Sequence, residues 1–264
     1  ESISYLDIPY TDDKTINYDL QSLDIYAPKS AKDLPVIVFI HGGAWMGGDK
    51  SSSVGEKPQF FNRMGFIFTS INYRLSPQVT HPTYVQDVAC ALAWIQSNIS
   101  TYGGNPEQIF IIGHSAGAHL AALVATDETY LQSQGLNLDF IDGVICLDGG
   151  GYDIPLATKS EGKIKFNIYT NAFGWNTADW IEASPINHVE KGKAIPPFLL
   201  IYAGQREASC LQAEIFSKIL ASNNVYVKLY HAIGKNHGSL NNDLGKAGDE
   251  PTDVILHFIN ALLQ

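Results

Sequence analysis

Residues 108–125 read QIFIIGHSAGAHLAALVA. The apolar run IFII is followed by Gly113-His114-Ser115-Ala116-Gly117 and then by the small-residue segment AHLAALVA, so strand, sharp turn and helix follow one another within eighteen residues. A serine at the centre of so tight a turn takes strained backbone angles, and its neighbours must be small for strand and helix to approach. The serine hydroxyl then stands exposed at a helix N-terminus, where the macrodipole favours developing negative charge. G-x-S-x-G in this setting marks Ser115 as a nucleophile.

The same alternation extends in both directions. Short apolar runs separated by amphipathic segments build a parallel sheet, because parallel neighbours need a helical crossover. LDIYAP and VIVFIHGG read as the first strands, the second a continuous apolar run suited to a strand covered on both faces, and FIFTSINYR as the next. Residues 55 to 64 read as a short helix. Thr83 to Ile99 places Val85, Val88, Ala89, Leu92 and Ile95 at three- and four-residue spacing, which predicts a helix with one face in the core. GVICLDGG, PFLLIYAG and VYVKLYHA supply three later strands, with a helix from near Ser209 to near Ser222 between the last two, and DVILHFINALL closes the chain. Residues 152–193 break the rhythm. They are rich in aromatics (Tyr152, Phe166, Tyr169, Phe173, Trp175, Trp180) and longer than an ordinary loop requires. Such an insertion reads as a lid or pocket wall, or as a packed surface subdomain. With no repeat or linker, 1–264 reads as one domain.

Composition bounds the partners. The 264 residues are 45% hydrophobic and 17% charged, and 17 Lys+Arg against 27 Asp+Glu give a net charge of −10. That balance repels phosphate backbones and anionic lipid, so nucleic acid is excluded as an expected partner. No run approaches the roughly 20 apolar residues of a membrane span. A soluble chain is expected, with the cytoplasm favoured; secretion stays open because the chain starts at Glu1 and contains the sequon Asn98-Ile99-Ser100. Cys90, Cys146 and Cys210 are odd in number and lack metal-type spacing, so neither a disulfide framework nor a metal site is expected. No cofactor is implied. Oligomeric state has no signature in the sequence.

A second glycine loop lies earlier. His41-Gly42-Gly43-Ala44-Trp45 follows directly on VIVFI, where backbone N–H groups can be preset to receive the oxyanion of a tetrahedral intermediate. Gly43, Ala44 and Ala116 are the expected donors. His41 reads as a structural histidine, and Trp45 as a pocket or packing residue. Of the eight histidines, His237 in GKNHGSLNN follows the last long strand by a short glycine-containing loop, from which an imidazole can reach back to the serine. His231 and His257 are better explained by packing.

HGGAW, GHSAG and the late NHGSLN loop together resemble the α/β-hydrolase superfamily, in particular the hormone-sensitive-lipase-like esterases and the related kynurenine formamidase and feruloyl/acetyl esterase group. The resemblance covers almost the whole chain. It implies an α/β fold with a mostly parallel central sheet flanked by helices on both faces and a lid-like insertion. It also implies metal-free hydrolysis of small acyl esters or amides through an acyl-serine; the aromatic-rich insertion favours small or aromatic esters. Ser115 is then nucleophile, His237 base, and the order along the chain is serine, acid, histidine. The acid is expected just after PFLLIYAG, in Gly204-Gln205-Arg206-Glu207-Ala208-Ser209, where Ala208 occupies the position of the usual Asp. Glu207 is the acid available there and is favoured; Asp148 at the end of the preceding strand is the alternative, and Asp153 a third acid assigned to anchoring the insertion. An arylformamidase-type amide hydrolase would use the same machinery. A hydrolase-fold binding protein weakened by loss of the acid is the reading from a different class.

Overall fold

Val36, Val38 and Ile40 turn to one side of their strand and Ile37 and Phe39 to the other, and all five are buried. The period-2 alternation of a strand here feeds two separate cores, which is why the run VIVFI has no polar face. The computed structural model describes residues 2–12, 18–160 and 162–264. Among the described residues eight strands form one sheet: β1 (Ser2–Pro9), β2 (Ser22–Pro28), β3 (Leu34–Ile40), β4 (Ile67–Ile71), β5 (Gly104–His114), β6 (Gly143–Leu147), β7 (Phe198–Tyr202) and β8 (Val227–His231). Their order is β1-β2-β4-β3-β5-β6-β7-β8. β1–β2 and β2–β4 pair antiparallel, and the remaining pairs are parallel.

The helices are α1 (Lys57–Arg63), α2 (Thr83–Asn98), α3 (Ala116–Val124), α4 (Glu128–Gln132), α5 (Ile154–Ser160), α6 (Gly162–Phe173), α7 (Thr177–Glu182), α8 (Glu207–Ser222), α9 (His237–Asn242) and α10 (Glu250–Leu262). One core joins α2, α3 and α8 to the sheet through Val88, Leu92, Leu120 and Phe216. The other joins α1, α9 and α10 through Phe61, Leu240, Ile255 and Phe258. In α2, Val85, Val88, Ala89, Leu92 and Ile95 are all buried, as their spacing predicts. No helix among the described residues is long and apolar enough to cross a membrane.

Several elements differ from the sequence expectation, among them the short helices α4 and α9, which it did not contain, the strand β1 and the start of α8. β1 precedes LDIYAP as an edge strand whose residues are mostly exposed, so its sequence carries no hydrophobic alternation to announce it. α8 begins at Glu207 rather than near Ser209, a shift that bears on the site. Residues 152–193 hold α5, α6 and α7, and Tyr152, Tyr169, Phe173 and Trp180 join the larger core while Trp175 stays 75% exposed. The thiols of Cys90, Cys146 and Cys210 are unpaired.

Candidate active site

Ser115 sits between β5 and α3 with φ 57° and ψ −118°, a left-handed conformation costing about 1–3 kcal/mol that only a crowded surrounding maintains. The surrounding is backbone. A Cβ on Gly113 would lie 2.2 Å from the Gly117 carbonyl oxygen, and one on Gly117 would lie 2.1 Å from that of Ile40. The Ser115 N–H donates to the Leu147 carbonyl at 2.9 Å, tying the turn to the end of β6.

His237 opens α9. The Asn236 side chain accepts from the Ser239 N–H, and the Ser239 hydroxyl accepts from the Asn236 N–H, each at 2.8 Å. This capping box holds the helix start, and with it the imidazole, in place. Nε2 of His237 stands 3.1 Å from Ser115 Oγ, and Nδ1 stands 2.6 Å from Asp148 Oδ2.

The carboxylate expected from Glu207 is not at the imidazole. Glu207 is the first residue of α8 and is exposed, because the helix starts early enough to turn this side chain to solvent. Asp148, the alternative at the end of β6, takes the place. It is 1% exposed with φ 44°, and its Oδ1 accepts from the Ala203 N–H at 3.1 Å. Burial alone would raise its pKa; the hydrogen bonds from His237 and the Ala203 amide, with the neighbouring charges of His237 and Arg206, outweigh burial and hold it below the ordinary aspartate value. An ionised Asp148 accepts, so Nδ1 carries the imidazole proton and Nε2 faces the serine hydroxyl as acceptor.

Two neighbours were not singled out from sequence. His114, the variable position of G-x-S-x-G, lies against the His237 ring at 4.6 Å between centroids, and its Nε2 is 2.9 Å from the His237 carbonyl oxygen. Burial, then the nearby His237, pushes its pKa down to about 3, so it stays neutral and donates to that carbonyl. Arg206 places Nη1 2.8 Å from His237 Nδ1 and 3.4 Å from Asp148 Oδ2. The continuous apolar run ending at Leu147 places Asp148 at a strand's carboxyl end, the one signal for it in the sequence; no local pattern marks His114 or Arg206.

The second glycine loop closes the other side. Gly43, Ala44 and Trp45 all have positive φ, 128°, 54° and 58°, and a Cβ on Gly43 would lie 2.1 Å from the Gly47 carbonyl oxygen. The N–H groups of Gly43, Ala44 and Ala116 have no acceptor among the described residues, and all three residues line one cavity of about 400 Å³ with Ser115 and His237. Trp45, Ile168 and Tyr169 form its apolar walls, and Trp45 also packs edge-on against His119 and Phe173 at 5.2 and 4.8 Å. His41 is buried, its Nδ1 bonds the Gly42 carbonyl at 2.8 Å, and its ring stacks on Tyr73. Among the described residues, no group of three or more His, Cys, Asp or Glu side chains is placed to hold a metal ion.

The BD-FAE family model matches residues 23–218. The chain belongs to the BD-FAE family. The matched span runs from β2 into α8 and so contains the Gly43 loop, Ser115, Asp148 and Arg206, with His237 beyond it. Among proteins similar to this BD-FAE member is esterase LipQ of Mycobacterium tuberculosis, 30% identical over an alignment of 245 positions that covers 81% of this chain and 56% of LipQ. The kynurenine formamidase of Meyerozyma guilliermondii is 32% identical over 178 residues, 64% of this chain and 62% of that enzyme. The chain therefore spans between half and two thirds of the length of these relatives. Its fold is that of the α/β-hydrolases: esterase B of Lactobacillus rhamnosis superposes with a TM-score of 0.82 over 99% of this chain and 87% of that one, at 21% identity.

Proposed function

We propose that the protein hydrolyses small or aromatic carboxylic esters through an acyl-enzyme on Ser115. One observation carries the reading: Ser115 Oγ, His237 and the buried Asp148 form a continuous hydrogen-bonded relay at 3.1 and 2.6 Å, and the cavity beside it is lined by Gly43, Ala44 and Ala116, whose N–H groups have no acceptor among the described residues. In the first half-reaction His237 Nε2 takes the hydroxyl proton as Oγ bonds to the ester carbonyl carbon. The negative charge passes to the carbonyl oxygen, which the amides of Gly43, Ala44 and Ala116 receive; such donors are worth a few kcal/mol each in the transition state. The imidazolium, held by ionised Asp148, then gives its proton to the leaving alkoxide as the C–O bond breaks. Water repeats the sequence, releasing the acid and restoring Ser115.

The cavity supports a flat or medium-sized group, with Trp45 and, from the 152–193 segment, Ile168 and Tyr169 as its apolar lining. In this reading that segment is the pocket's wall. Similarity to a kynurenine formamidase supports a second reading, hydrolysis of an N-formyl aromatic amine by the same steps; kcat/KM on an aryl ester against an N-formylated aromatic amino acid separates the two. Asp148 at the imidazole removes the reason for supposing a weakened, purely binding protein. The test is Ser115→Ala on 4-nitrophenyl butyrate: turnover is expected to fall by about four orders of magnitude or more, with rapid fluorophosphonate labelling of the unmodified protein at Ser115. Unchanged turnover would overturn the reading.

A further inference from the structure

Arg206 takes no proton in the relay just described, yet it stands on it, 3.4 Å from Asp148 Oδ2 and helping to keep that carboxylate ionised. Its Nη1 lies 2.8 Å from His237 Nδ1, the same nitrogen that Asp148 Oδ2 approaches at 2.6 Å. Nδ1 offers one site in the ring plane. It donates its proton to Asp148, or it is unprotonated and accepts from the guanidinium, and it does not do both. The second arrangement puts the imidazole proton on Nε2, where it leaves nothing to accept the Ser115 proton. A guanidinium at this distance also opposes the imidazolium that forms as Ser115 attacks. In this position Arg206 therefore works against the base.

The same side chain lines the cavity, is 28% exposed, and among the described residues is the one Lys or Arg that does so. A chain of net charge −10 repels anionic ligands at long range, and the guanidinium is a local cation that can offset this repulsion inside the cavity. The guanidinium is separated from Ser115 Oγ by one imidazole ring and two hydrogen-bond lengths. It is therefore within reach of a group a few bonds from a carbonyl seated at the serine.

Resting on the ester-hydrolase reading of this site, we propose that Arg206 selects esters carrying a carboxylate a few bonds from the scissile carbonyl. The substrate carboxylate draws the guanidinium from His237 Nδ1 into the cavity as a charge-assisted, bidentate pair, and it leaves Nδ1 with Asp148 alone. The aromatic and aliphatic walls formed by Trp45, Tyr169 and Ile168 hold the apolar body of the same molecule. Recognition and release of the base are then one movement.

The experiment compares matched pairs of esters on the purified protein, with non-enzymatic hydrolysis subtracted. For the acyl side the pair is mono-4-nitrophenyl adipate and 4-nitrophenyl hexanoate; for the leaving-group side it is 4-acetoxybenzoate and 4-acetoxybenzamide. In at least one pair kcat/KM is expected to favour the carboxylate by about ten- to a hundredfold, the range of one charge-assisted contact. Arg206→Gln is expected to bring that ratio close to one, and Arg206→Lys to keep part of it, since an ammonium holds the charge without the fork. Both members of a pair are measured on the same variant, so a loss of folding or a purely structural role lowers both rates and leaves their ratio unchanged. No preference in either pair, or a preference that survives Arg206→Gln, overturns the proposal. Turnover of the neutral esters that still depends on Ser115 would in that case leave the ester-hydrolase reading standing.

Discussion

The turn from β5 into α3 and the turn from β7 into α8 both leave the carboxyl edge of the sheet, separated by the width of β6, and their construction is opposite. Around Ser115 every added atom meets backbone: Gly113 against Gly117, Gly117 against Ile40, and Gly42 with a Cβ position 2.9 Å from the His114 carbonyl oxygen. Between β7 and α8, Gly204, Gln205 and Glu207 are exposed, and Arg206 reaches inward as a long side chain rather than as backbone. Steric exclusion sets the first turn and permits one conformation. Side-chain reach sets the second, and what it delivers to the site depends on the register of the helix that follows.

The largest effect that tests this contrast concerns the acid. Asp148→Asn should lower kcat by about three to four orders of magnitude by stabilising the wrong imidazole tautomer, while Glu207→Gln on the open turn stays within about twofold of wild type in the same assay. The reverse result would return the acid to the open turn and break the comparison. Next comes crowding itself. Gly117→Ala should cost about 3 kcal/mol or more in urea unfolding, because neither the Ile40 carbonyl nor the helix can retreat. Gly174→Ala, at φ 72° with open space around it, should cost about 1 kcal/mol from backbone strain alone.

A smaller effect probes what lies behind the crowded turn. Lys57 is buried with Nζ 4.9 Å from the centre of the Phe39 ring and 2.8 Å from the Ser53 carbonyl oxygen. Burial, with Lys246 adding to it, pushes its pKa down to about 7. Between that value and the ordinary lysine value the unfolded chain holds the extra proton, so stability rises with pH from about 7 to about 10, by at most about 1.4 kcal/mol per pH unit. Urea unfolding at pH 7 and pH 9 measures the slope, which Lys57→Met should remove. The smallest effect gives a baseline far from both turns. Glu182 of the 152–193 segment pairs with His81 and accepts from the Tyr130 hydroxyl, but it is half-exposed, and Glu182→Gln should change stability by less than about 1 kcal/mol.

Ser115 and His237 could be picked out from sequence because their signals are local: glycines on either side of a serine between an apolar run and a helical one, and a histidine on a short loop after a late strand. The central strands were legible for the same reason, since burial on both faces leaves only apolar residues in VIVFI and IFII. β1 was not, because an exposed edge strand needs no hydrophobic pattern to pair. The acid was ambiguous because both candidates follow parallel strands, and what separates them is a two-residue difference in where α8 begins together with a positive φ at Asp148. His114 and Arg206 act on a residue more than thirty positions away, through contacts that no spacing encodes.

The strand pairing that sets the acid also determines how the site moves. His114 and Leu147 are partners in the parallel register of β5 and β6, so Ser115 and Asp148 are each the next residue along, and the Ser115 N–H is bonded to the Leu147 carbonyl. Nucleophile and carboxylate thus share one rigid body, and no sliding of one past the other occurs without breaking the sheet. His237 rides on a separate capped helix. In the proposed mechanism the imidazole, joined to Ser115 and Asp148 by side-chain hydrogen bonds alone, is the group that takes a proton from the serine and gives it to the leaving group.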